Sequence, residues 1–560
     1  MTKFPQDHPL FLLPLLDGVH LRVFFVQKTL GQVLLPYIKN RKETYGSDVT
    51  LGLHEPTVLD GARKKLVVEF SSPNACDFQG KHLRSAIHGA FISKLYETMG
   101  WDVTRINYLG DWGKSMALLA VGWEKFGNEE AFEADPAGHL INVYHRIHEL
   151  FLPEMAKAKK ARDQANKKTR EDGDEHGEEQ AKIESEGLFA ERNAFFKKLE
   201  EGDEEALALV KRFRDVNIAN YTKLYSRLGI DFDEYSGESQ ISQKTMTEVE
   251  QLLKDKGVSE ESEGAWIVGM KKHGARAGTA MIRYRTGAST YLLRDLAAVL
   301  ERSRKFKFDK MIFVVANDQN VHFSQLIKIL LALDMQDLAG KLEHVHFSNV
   351  SKTADRMGIG HQPLNVLDQC EEAMLNSLKA EEGKATLLGS SEDVAKVMGI
   401  SALLTQELSA RRSNDHAFDI DAMTSFKPET GPGLQYWYAR LCSILKANPA
   451  REELSREEYE SLAGEKPANL LRLLAQYPEV THTTYKSMES AVITTYLVNL
   501  IEQLQECLGE EEEVEELRVT PVQATLYEAT RIVFENAFRL LGIKPVAKVE
   551  QDRADTPVAE

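Results

Sequence analysis

The sequence predicts a doubly wound parallel α/β sheet followed by an all-α domain. Short apolar runs such as Leu66–Phe70 and Lys310–Val315 have the length and content of strands buried on both faces. Each is followed by a polar loop and then by a helical pattern, as at Leu83, Ile87, Ala90, Phe91 and Leu95. Strands alternating with helices imply a parallel sheet. From about Val394 the periodicity is helical only, through VAKVMGISALLTQEL, ANLLRLLAQY and AVITTYLVNLIEQL.

With 560 residues the chain exceeds one hydrophobic core, so two to four domains are expected. Hydrophobic content of 42% and charged content of 28% are those of an ordinary soluble protein. No run reaches the roughly 18 apolar residues of a membrane span. The amino terminus lacks a basic, then apolar, leader pattern. Cys76, Cys370, Cys442 and Cys507 are far apart and show no metal-ligand spacing, so no metal is expected and a reduced, cytoplasmic setting fits. The net charge of −17 counts against a nucleic-acid binder unless a local basic face serves.

Taken in order, HLRVFFVQKTLGQVLLPYI reads as a strand-like run and then a helix. Leu66–Phe70, the Ser-Ser-Pro-Asn turn and the helix after it form the first strand–loop–helix unit. In such folds ligands sit beyond the carboxyl ends of the strands, and helix N-termini favour anions. Trp101–Gly113, WDVTRINYLGDWG, reads as a second strand and its turn. Lys157–Gly187 alternates charges of both signs with almost no apolar residue, a solvated helix or linker. Leu188–Leu228 regains helical periodicity, LLRDLAAVLER is amphipathic, and the strand KMIFVV precedes ANDQNVH and a further helix.

The stretch LVVEFSSPNACDFQGKHLRSAIHGAF, Leu66–Phe91, resembles the first signature region of class I arginyl-tRNA synthetases, whose pattern runs roughly VEFSSPNxxKxxHxGHLRS. RKETYG, GDWG, YSGES, YLLRD, Glu429–Pro432 and Leu541–Pro545 extend the resemblance over roughly residues 20 to 548. It implies a truncated N-terminal segment over 1–60 and a Rossmann-like catalytic domain over 61–393. Within the latter it implies a helical insertion at about 125–265 with a charged linker at 157–187. A helical anticodon-binding-like domain follows over 394–548, and 549–560 reads as a disordered tail.

The resemblance also implies an arginine pocket formed by Glu69, Ser72, Asn74, Tyr291, Asp295 and Gln319. A guanidinium offers five donors in a fixed fork, and carboxylates meeting it at more than one angle satisfy it. The phosphate loop departs from the family. Gln79 replaces the first histidine, Lys81 replaces the glycine beside the second, and Cys76 and Asp77 stand where a lysine is usual. In the second signature, Thr353–Gly358, the lysine has become Met357. An acid in place of a phosphate-binding cation is repulsive. The resulting expectation is a chain that needs no ATP and no other cofactor and receives arginine as arginyl-tRNA.

So read, the chain is similar to fungal arginine-containing cyclodipeptide synthases and would join arginine to a second amino acid in a diketopiperazine, the second expected as aminoacyl-tRNA with the free acid left open. His82 and Lys81 are then the catalytic candidates and Tyr436 the tRNA contact in a monomer; no serine among Ser71, Ser72 and Ser85 stands out. Two other readings stay open: an ATP-dependent arginyl-tRNA synthetase with a divergent loop, and an inactive relative that binds arginine or tRNA.

Overall fold

Five parallel strands form the central sheet, in the order Leu342–Phe347, Lys310–Ala316, Lys65–Phe70, Asp102–Leu109, Glu234–Gly237. The structure, a computed structural model, describes residues 4–58, 61–168, 182–275, 278–285, 287–351, 357–509 and 517–546. Lys65–Phe70 lies in the middle, with Val67 beside Thr104 on one side and Met311 on the other. Leu66, Val67, Val68 and Phe70 are all apolar because both faces of the strand are covered. Leu66, Val68 and Phe70 enter one core, and Val67 enters another with Ile106, Met311 and Phe313.

The strand order positions the site. From Lys65–Phe70 the chain crosses to Asp102–Leu109 on one side of the sheet, and it later returns to Lys310–Ala316 on the other. The connections leaving the two adjacent strands Lys65–Phe70 and Lys310–Ala316 thus diverge, and a crevice opens beyond their carboxyl ends.

The insertion differs from the sequence expectation. Helices Gly113–Phe126, Pro136–Lys168, Gly187–Glu201 and Glu204–Arg227 build a core around Met116, Leu119, Ile147 and Phe213. Beyond Arg227 the segment is mixed rather than wholly helical, with the helix Gln243–Asp255 set among strands. Glu234–Gly237 is the fifth strand of the main sheet, an edge strand only partly buried, which is why it lacks an apolar run. Glu260–Ser262, Ala265–Gly269 and Thr279–Arg283 form a separate antiparallel sheet. Of the charged linker, residues 157–168 continue a helix and 169–181 lie outside the described residues, as does the 549–560 tail.

The C-terminal part is all-helical, and its helices begin before residue 394: Asn365–Ala380 packs against Glu392–Leu408. Gly431–Ala447, Glu465–Ser487, Ala491–Leu508 and Pro521–Leu541 complete it. The N-terminal helix Gln27–Arg41 packs on these, burying Leu30, Leu34, Leu35 and Ile38 in their core. The Tyr45 hydroxyl donates to the Leu474 carbonyl at 2.7 Å, and the Asn536 amide donates to the carbonyls of Lys42 and Tyr45. Arg84, fully buried on the helix Gly80–Thr98, donates to the Ser348 carbonyl at 2.6 Å and lies 3.5 Å from Glu407.

Gly89 sets how closely the helix Gly80–Thr98 approaches the sheet, because a β-carbon there would lie 2.1 Å from Cγ of Phe70. Gly89→Ala should therefore destabilise the chain by about 1–3 kcal/mol through overpacking. Thermal unfolding checks this, and an unchanged melting temperature would contradict the packing.

Candidate active site

The site starts where the central strand ends. Ser71 and Ser72 both adopt left-handed backbone, with φ of 71° and 44°, a conformation that disfavours any side chain. Neighbours fix the turn. The Ser71 amide donates to Ser85 Oγ at 2.7 Å, and Ser85 Oγ donates to the carbonyl of Val314 on the adjacent strand. Ser71 Oγ also pairs with the Tyr225 hydroxyl at 2.7 Å. One helix thereby pins both diverging strand ends.

The Gly-Asp-Trp-Gly turn completes the wall. A β-carbon on Gly110 would lie 2.2 Å from Asn74 Oδ1, so only glycine lets the Asn74 side chain sit there. Asp111 accepts from the Ser239 amide and hydroxyl at 2.8 and 2.7 Å and from Arg214 Nε at 2.7 Å. That clamps the Tyr235–Ser239 segment beside the crevice.

The crevice encloses a cavity of about 230 Å³ lined by Glu69, Ser72, Asn74, Tyr291, Asp295 and Gln319, all six of the anticipated pocket residues, with Lys81 and His82 at the same wall. It is acidic. Glu69 is buried against Arg302, and burial raises its carboxyl above the ordinary range while Arg302 opposes that. Asp295 pairs with His322 Nε2 at 2.7 Å. Glu238 is pushed up to about 8, chiefly by burial and then by Asp295. Tyr291 is half exposed and packs on the His322 ring at 4.8 Å. Ser72 Oγ is buried without a hydrogen-bond partner among the described residues.

The sequence reading missed Glu238, His322 and Arg302. Glu238 belongs to YSGES, which stood out only as a match to the connective region. His322 lies three residues beyond Gln319, at the start of the helix Asn320–Ala332. Arg302 shares a face of the helix Tyr291–Phe306 with Asp295, a periodicity that could have found it.

His82 and Lys81 begin that pinning helix. The Gln79 amide donates to His82 Nδ1 at 2.9 Å, so the ring proton resides on Nε2. Burial lowers the His82 pKa to about 3, leaving a neutral imidazole that can donate through Nε2. Lys81 reaches across the crevice to Asp318 at 3.5 Å, a half-exposed pair of little energetic weight. Met357 is buried, whereas Thr353–Arg356 lie outside the described residues. Tyr436 is remote from the cavity lining, packed edge-on to Trp437 at 5.8 Å between helices. A side chain at Gly433 would meet the Lys427 carbonyl at 1.8 Å, so this backbone admits only glycine there.

Asp77 changes the electrostatic argument about phosphate. Its carboxyl is 7% exposed, accepts from Gln79 Nε2 at 2.8 Å, and is raised above the ordinary range chiefly by burial. The charged form is therefore disfavoured, and the repulsion anticipated from the sequence, which took Asp77 as a free anion, is weakened.

A family model described as tRNA synthetases class I (R), catalytic domain, matches residues 53–420, and one described as the DALR anticodon binding domain matches 434–549. The chain is 37% identical over 542 residues to the cytoplasmic arginine–tRNA ligase of Saccharomyces cerevisiae, covering 95% of this chain and 83% of that one. It is 34% identical over 541 residues to the mitochondrial arginine–tRNA ligase of the same yeast, covering 95% and 78%. The arginyl-tRNA synthetase of Thermus thermophilus shares the fold, with a TM-score of 0.70 at 16% identity over 97% of this chain and 89% of that one. These relatives overturn the cyclodipeptide synthase reading, because near-complete alignment runs to ligases, and with it the expectation of a reaction without ATP. One relative is named cytoplasmic and the other mitochondrial, so the compartment does not follow from kinship. Among the described residues no helix is long and apolar enough to cross a membrane. The chain belongs to the class I arginyl-tRNA synthetase family.

Proposed function

We propose that this chain is an ATP-dependent arginine–tRNA ligase. The arginine carboxylate attacks the α-phosphorus of ATP and pyrophosphate leaves. A terminal ribose hydroxyl of tRNA then attacks the arginyl carbonyl and AMP leaves. One observation carries this reading: the alignment with an arginine–tRNA ligase spans 95% of the chain, through both the sheet and the helical part.

The crevice supports the same reading. Three carboxyl groups, Glu69, Glu238 and Asp295, face a small cavity, which suits a guanidinium and an α-ammonium rather than an anionic side chain. Asn74, Tyr291, Gln319 and Ser72 add neutral hydrogen-bonding groups around it. The phosphates of ATP would meet the N-terminus of the helix Gly80–Thr98, whose dipole favours anions, together with Lys81. His82 would act as a neutral donor through Nε2 to charge developing on the transferred phosphoryl. tRNA would dock on the helical domain around Tyr436. The charge of −17 confines that contact to a limited basic face, and binding would weaken with salt.

Purified chain given arginine, ATP and tRNA should form arginyl-tRNA and AMP at ~1 s⁻¹ or faster, with arginine-dependent pyrophosphate exchange. Absence of esterified arginine from a folded preparation would sink the proposal. Asp295→Ala should raise the KM for arginine at least about a hundredfold while the chain stays folded, since an unpaired buried guanidinium loses several kcal/mol. An unchanged KM would remove Asp295 from the pocket.

The His82 ring should stay neutral from about pH 4 to 9 in the folded chain, because burial depresses its pKa from 6.5 to about 3. The unfolded chain takes up that proton near pH 6.5, so this contribution to stability is full above that pH and declines as pH falls toward 3. Histidine-selective NMR tests it, and a His82 titration midpoint near 6.5 would refute the assignment.

A further inference from the structure

Arg302 does not line the cavity, yet it touches a residue that does. It lies two turns beyond Asp295 on the helix Tyr291–Phe306 and forms an ion pair with Glu69 Oε2, both side chains being less than a tenth exposed. Its guanidinium stacks 4.5 Å above the Tyr108 ring, and Nη2 has no hydrogen-bond partner among the described residues. The pair joins the central strand to that helix across 233 residues of sequence.

We propose that Arg302 is a positioning residue for arginine recognition: it holds Glu69 ionised through one carboxylate oxygen and leaves the other to accept from the substrate's guanidinium. The inference rests on the proposed function. Glu69 needs such help. Burial favours its neutral acid, and the neighbouring carboxyl of Asp295 acts in the same direction. Glu238 adds a further acid to the same cavity wall, and the Tyr108 hydroxyl brings no charge of its own. On the other side stand Arg302 and, from the helix Asn320–Ala332, His322, which Asp295 already engages. A neutral Glu69 would lose the charge-assisted bond that a guanidinium requires.

The test is calorimetric titration of L-arginine into the full chain at pH 7 and pH 9, with each variant compared with wild type at the same pH and its melting temperature recorded. Arg302→Met should bind arginine at least about thirtyfold more weakly at pH 7, and the gap should narrow at least about threefold at pH 9 as Glu69 ionises. Glu69→Gln should be weak at both, without narrowing, because it has no proton to lose. Arg302→Lys keeps the charge, though not the planar fork that stacks on Tyr108, and should stay within about tenfold of wild type at both.

Arginine bound by Arg302→Met as tightly as by wild type at pH 7 would overturn the proposal. So would a loss of equal size at the two pH values, the signature of a merely structural role. If Arg302→Met does not fold, Arg302→Lys decides: binding within about tenfold of wild type supports the proposal and weaker binding overturns it. A folded wild-type chain that fails to bind arginine refutes the proposed function, and this inference with it. Wild-type binding with an indifferent Arg302 refutes only the latter.

Discussion

The left-handed pair Ser71–Ser72 is the constraint on which the site depends. Left-handed backbone disfavours each non-glycine residue by roughly 1–2 kcal/mol, so the turn persists only because its surroundings over-determine it. Ser85 supplies two of the fixing hydrogen bonds and Tyr225 a third. Because Ser85 also holds Val314, the turn and the neighbouring strand end cannot drift apart independently. The geometry of the crevice is thereby tied to the Gly80–Thr98 helix, which itself is anchored through Arg84 to the carbonyl of Ser348 and to Glu407. Interior contacts, rather than the exposed side chains of the rim, set the distance between the two halves of the site.

Much of this was legible in the sequence because parallel strands buried on both faces leave a plain trace. Leu66–Phe70 and Lys310–Val315 could hardly be anything else. The six anticipated pocket residues were found through resemblance rather than through pattern, and they do line one cavity. Glu234–Gly237 was hidden because an edge strand needs no apolar run. Arg302 was hidden because its partner is 233 residues away. Asp77 misled for a different reason: a sequence gives the residue type, whereas the charge depends on burial, and that became visible only with the Gln79 hydrogen bond and the closed loop around it.

The acidity of the cavity has the same origin. Glu69, Glu238 and Asp295 come from a central strand, a loop after an edge strand and a helix, and the fold brings them together although like charges resist it. Arg302 and His322 offset part of that repulsion, and the raised carboxyl of Glu238 relieves more of it by favouring the neutral form. What is left uncompensated is a demand for positive charge, which a cationic substrate meets.

The N-terminal helix Gln27–Arg41 completes its core only against helices from the far end of the chain, Pro521–Leu541 among them. On a ribosome that order matters. Some 480 residues separate the two helices, so at ~5–20 residues per second Leu30, Leu34, Leu35 and Ile38 wait roughly 24 to 96 s for their partner. During synthesis these leucines are an exposed apolar stripe that chaperones can bind and other nascent chains can trap. Of the two helices, the one made earlier stays unburied until the later one arrives.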